Sequence, residues 1–184
     1  LALSNNTFTP IYDSKNNIKK EREILNIILS MKIDGLIVYP CASIENLDLY
    51  VKLKQNNIPL CFLDRKVDGI EAPLITSDNQ QGMFDLVNHL IRCGHRRIGF
   101  FGINDAMIST EKERFIGYCN ALIYNKLPLR NEYIFKLNDL HTREIDIPQK
   151  KQSEIFEHYT HLCIQTFLAL KEKPSVLCCM NDIC

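Results

Sequence analysis

Short apolar runs alternate with amphipathic helical stretches along this chain, and that alternation restricts it to a parallel sheet wrapped in helices. Leu1 to Ser4 reads as the remnant of a strand, followed by a polar loop from Asn5 to Asn17. Residues 18 to 32 carry Ile24, Leu25, Ile28 and Leu29 on one stripe, which predicts a helix. Leu36 to Tyr39 is a buried strand stopped by Pro40, and Ser43 can cap a helix running to about Asn56. Ile58 to Leu63 and Leu74 to Thr76 are the next strands. Asp78 with Gln81 resembles a capping box for a helix that puts Met83, Val87, Leu90 and Ile91 on one face, with Gly94 placed to end it.

The alternation continues to the end. Arg97 to Phe101 is a strand, and Thr110 with Glu113 reads as a second capping box. The helix it starts turns Phe115, Cys119, Leu122 and Ile123 inward. Glu132 to Leu137 is a further strand, while residues 138 to 150 have no assignable pattern. A long helix from Ile155 to Leu170 then leads to the last strand, Ser175 to Met180, which stops at Asn181-Asp182. A division into two lobes is expected near Gly94 to Arg96, where a helix stops and a second run of strand–helix units begins.

Ligands of such folds bind beyond the carboxyl ends of the strands, so the polar residues there are the candidates. Asn181 offers an amide donor and acceptor, and Asp182 a carboxylate able to accept from two hydroxyls. That chemistry suits a small polyhydroxylated molecule, although Asn and Asp are also common turn formers. Asn5, Asn6, Ser43, Asp64 and Asp78 follow other strands. Asp78 serves equally as a helix cap. Arg114 is expected in the first turn of its helix, where the macrodipole disfavours a cation. Its fork suits vicinal hydroxyls or a carboxylate, or a salt bridge to Asp105, Glu111 or Glu113.

Several classes of activity lack their signature. There is no glycine-rich dinucleotide or phosphate loop, no nucleophile elbow and no paired catalytic carboxylates. No catalytic residue, cofactor or metal site is therefore assigned, and the chain is not expected to be an enzyme. The 22 basic and 22 acidic residues cancel, so this portion carries no basic patch for nucleic acid. No apolar run is long enough to span a membrane. The eight cysteines are scattered without Cys-x-x-Cys spacing, which fits a cytoplasmic protein better than an oxidising compartment.

The ordered set Lys32-Ile-Asp-Gly-Leu-Ile-Val-Tyr-Pro40, Asn57-Ile-Pro, Asp64-Arg65, Ser77-Asp-Asn-Gln-Gln-Gly82, His89-Leu-Ile-Arg-Cys-Gly-His-Arg-Arg-Ile98, Arg114-Phe-Ile-Gly-Tyr118 and Asn181-Asp182 resembles the LacI/GalR effector-binding domain. Asp34 to Pro40 and Glu71-Ala-Pro-Leu-Ile-Thr are similar to the arabinose-responsive repressors that join a GntR-type winged helix to this sensor. The resemblance implies an α/β, periplasmic-binding-protein-like fold: two doubly wound parallel-sheet lobes, residues 1–95 and 96–184, with a sugar between them. It implies that the chain is incomplete at both ends, lacking the first strand and helix, the late elements and the DNA-binding module. Ligand contacts carry over to Arg114, Asn181, Asp78 and Asp182, and Phe8 or Tyr39 is expected to stack on the sugar.

The function so implied is sugar sensing by a bacterial transcriptional repressor. The effector would be a small molecule, with L-arabinose the first candidate, and operator DNA would be bound through the missing module of a homodimer. The alternative is a secreted or periplasmic sugar-binding protein that serves a transporter. The upstream sequence separates the two: a DNA-binding module in one case, a signal peptide in the other.

Overall fold

Asn17 begins the first helix by accepting the Lys20 N–H on its side-chain oxygen (2.9 Å), the geometry for which Asn is favoured at a helix start. This is seen in a computed structural model that describes residues 8–42, 44–103, 109–136 and 149–180. Helix α1 spans Ile18–Ser30 and is followed by strand β1 (Leu36–Val38), helix α2 (Leu47–Gln55) and strands β2 (Leu60–Leu63) and β3 (Leu74–Ile75). The three strands pair in parallel in the order β1-β2-β3, with Ile37 opposite Cys61 and Leu63 opposite Ile75. Helix α2 starts at Leu47, later than a cap at position 43 requires. Ser43 itself lies outside the described residues. Asn46 stands at the start without a side-chain cap bond: its Oδ1 is turned to Arg22 Nη1 (3.4 Å), while its amide nitrogen donates to Glu21 (2.6 Å) and to the Ile18 carbonyl (3.1 Å).

Strand alternation decides which face of this first sheet is dry. Leu60 and Phe62, with Leu36, Val38 and Leu74 beside them, pack on Leu25, Ile28, Leu49, Tyr50 and Leu53 of the two helices. On the opposite face Ile37 and Ile75 are exposed. Glu21 is buried on the helix side. Its carboxylate accepts from the Cys41 N–H (2.9 Å), the Asn46 amide and the Tyr50 hydroxyl (3.1 Å).

The second part of the chain contains helix α3 (Asn79–Arg92), strand β4 (Ile98–Ile103), helix α4 (Ser109–Tyr124), strand β5 (Ile134–Lys136) after a single 3-10 turn, helix α5 (Gln149–Ala169) and strand β6 (Val176–Cys179). Its parallel sheet has the order β5-β4-β6. Ile98, Phe100, Cys178 and Met180 pack against Met83, Val87 and Ile91 of α3 and Tyr118, Ala121 and Leu122 of α4. Phe101, Phe135 and Leu177 meet Cys163 and Phe167 of α5 on the other face. Cys178 is buried and its neighbour Cys179 exposed, as strand alternation requires.

Three expectations change here. The chain separates into compact units Leu1–Ile75 and Thr76–Cys184, so the division precedes α3 and does not fall at Gly94 to Arg96. The reason is that α3 packs along α4 more extensively than any other pair of elements. Thr110 lies inside α4, which begins at Ser109, and Glu113 turns to Asn79 (3.3 Å) instead of closing a capping box. Ile123 is exposed, since Tyr118, Ala121 and Leu122 supply the inward stripe of α4.

The end of α3 agrees with its sequence. Gly94 has a positive φ of 97°; its N–H bonds the Ile91 carbonyl, and the His95 N–H bonds that of Leu90. This is the Schellman arrangement. Gly94→Ala is expected to cost about 1 kcal/mol in thermal or urea unfolding, because the left-handed backbone penalises any Cβ. No atom lies within 4 Å of the added carbon, so the cost is conformational.

Candidate functional site

In α3 the buried positions recur every four residues, and Asn79 heads the row that continues with Met83, Val87 and Ile91. In α4 Arg114 stands one turn ahead of the buried Tyr118. Each stripe is therefore polar at its start, with Asn79 in α3 and Thr110 then Arg114 in α4. Gly117 brings the two together: a Cβ there would collide with the Gln80 carbonyl and approach the Met83 Cβ to 3.1 Å. Without that side chain the two helices make close contact, and the second turn of α4 sits on the first turn of α3.

The resulting contact is specific. Arg114 Nε donates to Asn79 Oδ1 (2.9 Å), and its Nη1 donates to the Met180 carbonyl (2.8 Å), just beyond the end of β6. Asn79 is only 6% exposed. Its amide nitrogen donates to the Ser77 carbonyl (3.1 Å) and to Glu113 Oε2 (3.3 Å). The position of Arg114 differs from expectation, for it lies in the second turn of α4, where the macrodipole has largely decayed. Its bonds among the described residues run to the neutral oxygens of Asn79 and Met180; Asp105 lies outside those residues.

Asp78 caps α3, accepting the Gln81 N–H on Oδ1 (3.0 Å). The Gln81 side chain extends along the helix, its amide nitrogen donating to Asp85 (2.9 Å). The cap also borders an open depression of about 270 Å³ lined by Ser77, Asp78, Asn79, Gly82, Met83, Leu86, Arg114 and Met180. A cationic donor and a carboxylate thus share a wall with Met83 and Leu86. This combination fits a ring that has hydroxyls at its edge and C–H groups on its face. Asn181 and Asp182 lie outside the described residues.

The first unit has its own polar group at the strand ends. The Arg65 guanidinium lies 4.4 Å from the centroid of the Tyr39 ring, with Nε 3.8 Å from Asp64 Oδ2 and Nη1 bonded to Asn16 (3.3 Å). The separation to Asp64 is that of an ion pair and is too long for a hydrogen bond. Asp64 holds a left-handed φ of 62° directly after β2. One face of Tyr39 is thus already covered by a cation, and Phe8 is 87% exposed. Sequence reading missed Asn79 and the Arg65–Tyr39 stack. The signal for Asn79 was present, as a polar residue four before Met83 on an otherwise apolar stripe.

Among the described residues, no three His, Cys, Asp or Glu side chains gather as a metal site. No helix among them is long and apolar enough to cross a membrane. The family described as periplasmic binding proteins and sugar binding domain of LacI family matches residues 12–152. The chain belongs to this family.

The LacI-family domain resembles several curated regulators. The probable HTH-type transcriptional regulator EndR of Paenibacillus polymyxa is 34% identical over 117 residues, covering 62% of this chain and 34% of its own length. The arabinose metabolism transcriptional repressor of Geobacillus stearothermophilus is 26% identical over 175 residues, 92% of this chain and 43% of its own. The chain spans less than half the length of these relatives. The fold is that of periplasmic binding proteins. The Caulobacter myo-inositol binding protein, solved with myo-inositol, matches 98% of the chain and 57% of its own, with a TM-score of 0.71 at 17% identity. A likeness at that identity concerns the fold alone.

Proposed function

We propose that this LacI-family domain is the sugar sensor of a bacterial transcriptional repressor. It works in the cytoplasm as part of a homodimer, and effector binding changes the grip of a separate module on operator DNA. The observation that carries the reading is Arg114, fixed by Asn79 and the Met180 carbonyl beside the Asp78 carboxylate and the Met83–Leu86 wall. In this reading Arg114 and Asp78 bind effector hydroxyls, together with Asn181 and Asp182 of the adjoining segment. L-arabinose is the first candidate, supported by the arabinose repressors among the relatives.

Calorimetric titration of the full-length protein with L-arabinose, galactose, ribose, xylose and a purine tests this. Saturable binding of L-arabinose that also releases operator DNA is the expected result. Binding of another panel member replaces the effector assignment, and binding of none removes the sensor reading. Arg114→Ala is expected to weaken effector binding by roughly 1.5–3 kcal/mol, the scale of a hydrogen bond to a charged group. Unchanged affinity would take Arg114 out of the site.

A transporter's binding protein is the second reading, since a protein of that kind has this fold. Seven free cysteines among the described residues weigh against it, since an oxidising compartment pairs or purges thiols. A signal peptide upstream of this chain would reverse that order of preference.

A further inference from the structure

We propose that Asn79 is a positioning residue for effector recognition: it sets the plane of the Arg114 guanidinium, and so decides which of its N–H groups meet the ligand. The proposal rests on the reading of Arg114 as an effector anchor. Arginine has a long, rotamer-rich side chain, and a preorganised fork loses less on binding than a mobile one. Here the fork is fixed at two atoms, Nε by Asn79 Oδ1 and Nη1 by the Met180 carbonyl. With Nε committed to Asn79, the edge formed by Nε and Nη2 no longer offers its pair of donors. A ligand therefore meets Arg114 through the terminal nitrogens.

The chemistry of position 79 singles out an amide. The group must accept from Arg114 on one side and donate to two acceptors, Glu113 Oε2 and the Ser77 carbonyl, on the other. Only one orientation of a carboxamide satisfies all three. A carboxylate would face the Glu113 carboxylate and the carbonyl with no proton to give. An alkyl group would release Nε. Asn79 is also buried, so water cannot readily replace either role.

The test is a double-mutant cycle in the full-length protein, titrated with L-arabinose or with whichever sugar of the panel binds. Asn79→Ala is expected to lower affinity about 10-fold, and Arg114→Ala about 10- to 100-fold. The double variant should match Arg114→Ala alone, because Asn79 then has nothing left to position. Additive losses would overturn the proposal, since Asn79 would be acting independently. A neutral Asn79→Ala beside a damaging Arg114→Ala would overturn it while leaving the anchor intact. A neutral Arg114→Ala, or no binding by any panel member, would remove the anchor and the proposal together.

A second measurement needs no variant. The Arg114 Nε–H resonance of the wild-type protein should exchange with water more slowly than that of the exposed Arg96. Equal rates would show that Nε is not held, and the proposal would fail even where Asn79→Ala does not fold.

Discussion

Glu21→Ala should be the most damaging single substitution in the first unit, at about 3–5 kcal/mol of lost stability. Glu21 is only 5% exposed, and its carboxylate is the acceptor for three donors at once: the Cys41 N–H, the Asn46 amide and the Tyr50 hydroxyl. Each bond to a charged group is worth about 1.5–3 kcal/mol. The three do not add, because the partners relax together. What remains after truncation is worse than a missing bond, for three polar groups become buried without an acceptor. Tyr50 is almost fully buried in the core below, so its hydroxyl has little room to turn toward water.

The same substitution should loosen the junction of α1 and α2 specifically. Asn46 lies at the start of α2 and Glu21 in the first turn of α1, so the carboxylate ties two helix starts to each other and to the chain after β1. Hydrogen exchange is the appropriate measurement. Amides of α1 and α2 should lose protection while those of α3 and α4, in the other compact unit, keep theirs. Glu21→Gln should cost less, about 1–3 kcal/mol, since one oxygen still accepts while the new amide faces donors. Alanine and wild type within about 0.5 kcal/mol of each other would refute this account.

Gly117→Val is the second large effect, expected to cost about 2–3 kcal/mol and to abolish effector binding. The added Cβ itself collides with the Gln80 backbone, and a backbone carbonyl inside a helix cannot step aside as a side chain can. The helices must separate, which thins the packing of Met83, Val87, Tyr118 and Ala121. It also lifts Arg114 away from Asn79, so binding should fall even at temperatures where the protein remains folded. Gly82→Ala is the control. It lies in the same α3, no atom stands within 4 Å of its Cβ, and it should raise stability by about 0.5–1 kcal/mol. Equal outcomes for the two variants in urea unfolding would remove the close-contact argument.

The architecture was legible because its signals are local. Apolar runs of strand length, the Asp78 cap and the Gly94 stop depend on residues within a turn of each other, and each is found where its pattern places it. The division between units was not legible, because it depends on the contact of two helices 30 residues apart at a glycine that resembles any other in sequence. Thr110 and Glu113 have the spacing of a capping box, yet Glu113 has a better partner in Asn79, which only the helix contact brings near. Arg114 was singled out for a partly mistaken reason. Its unfavourable place at a helix start proved to be a place in the second turn. What marks it is its position one turn before the buried Tyr118, facing the polar residue at the head of the α3 stripe.

The one-in, one-out arrangement of Cys178 and Cys179 means that two adjacent thiols report on different events. Burial raises both, Cys178 to about 12, so neither is a ready thiolate at neutral pH. Cys179 can still be reached from the surface, whereas Cys178 can be modified only after β6 leaves the α3–α4 face. A vicinal disulfide would require both sulfurs on one side of the strand, which the pleat forbids. The pair is thus a chemical clock with two hands: one follows the solvent and the other the opening of the second unit's core.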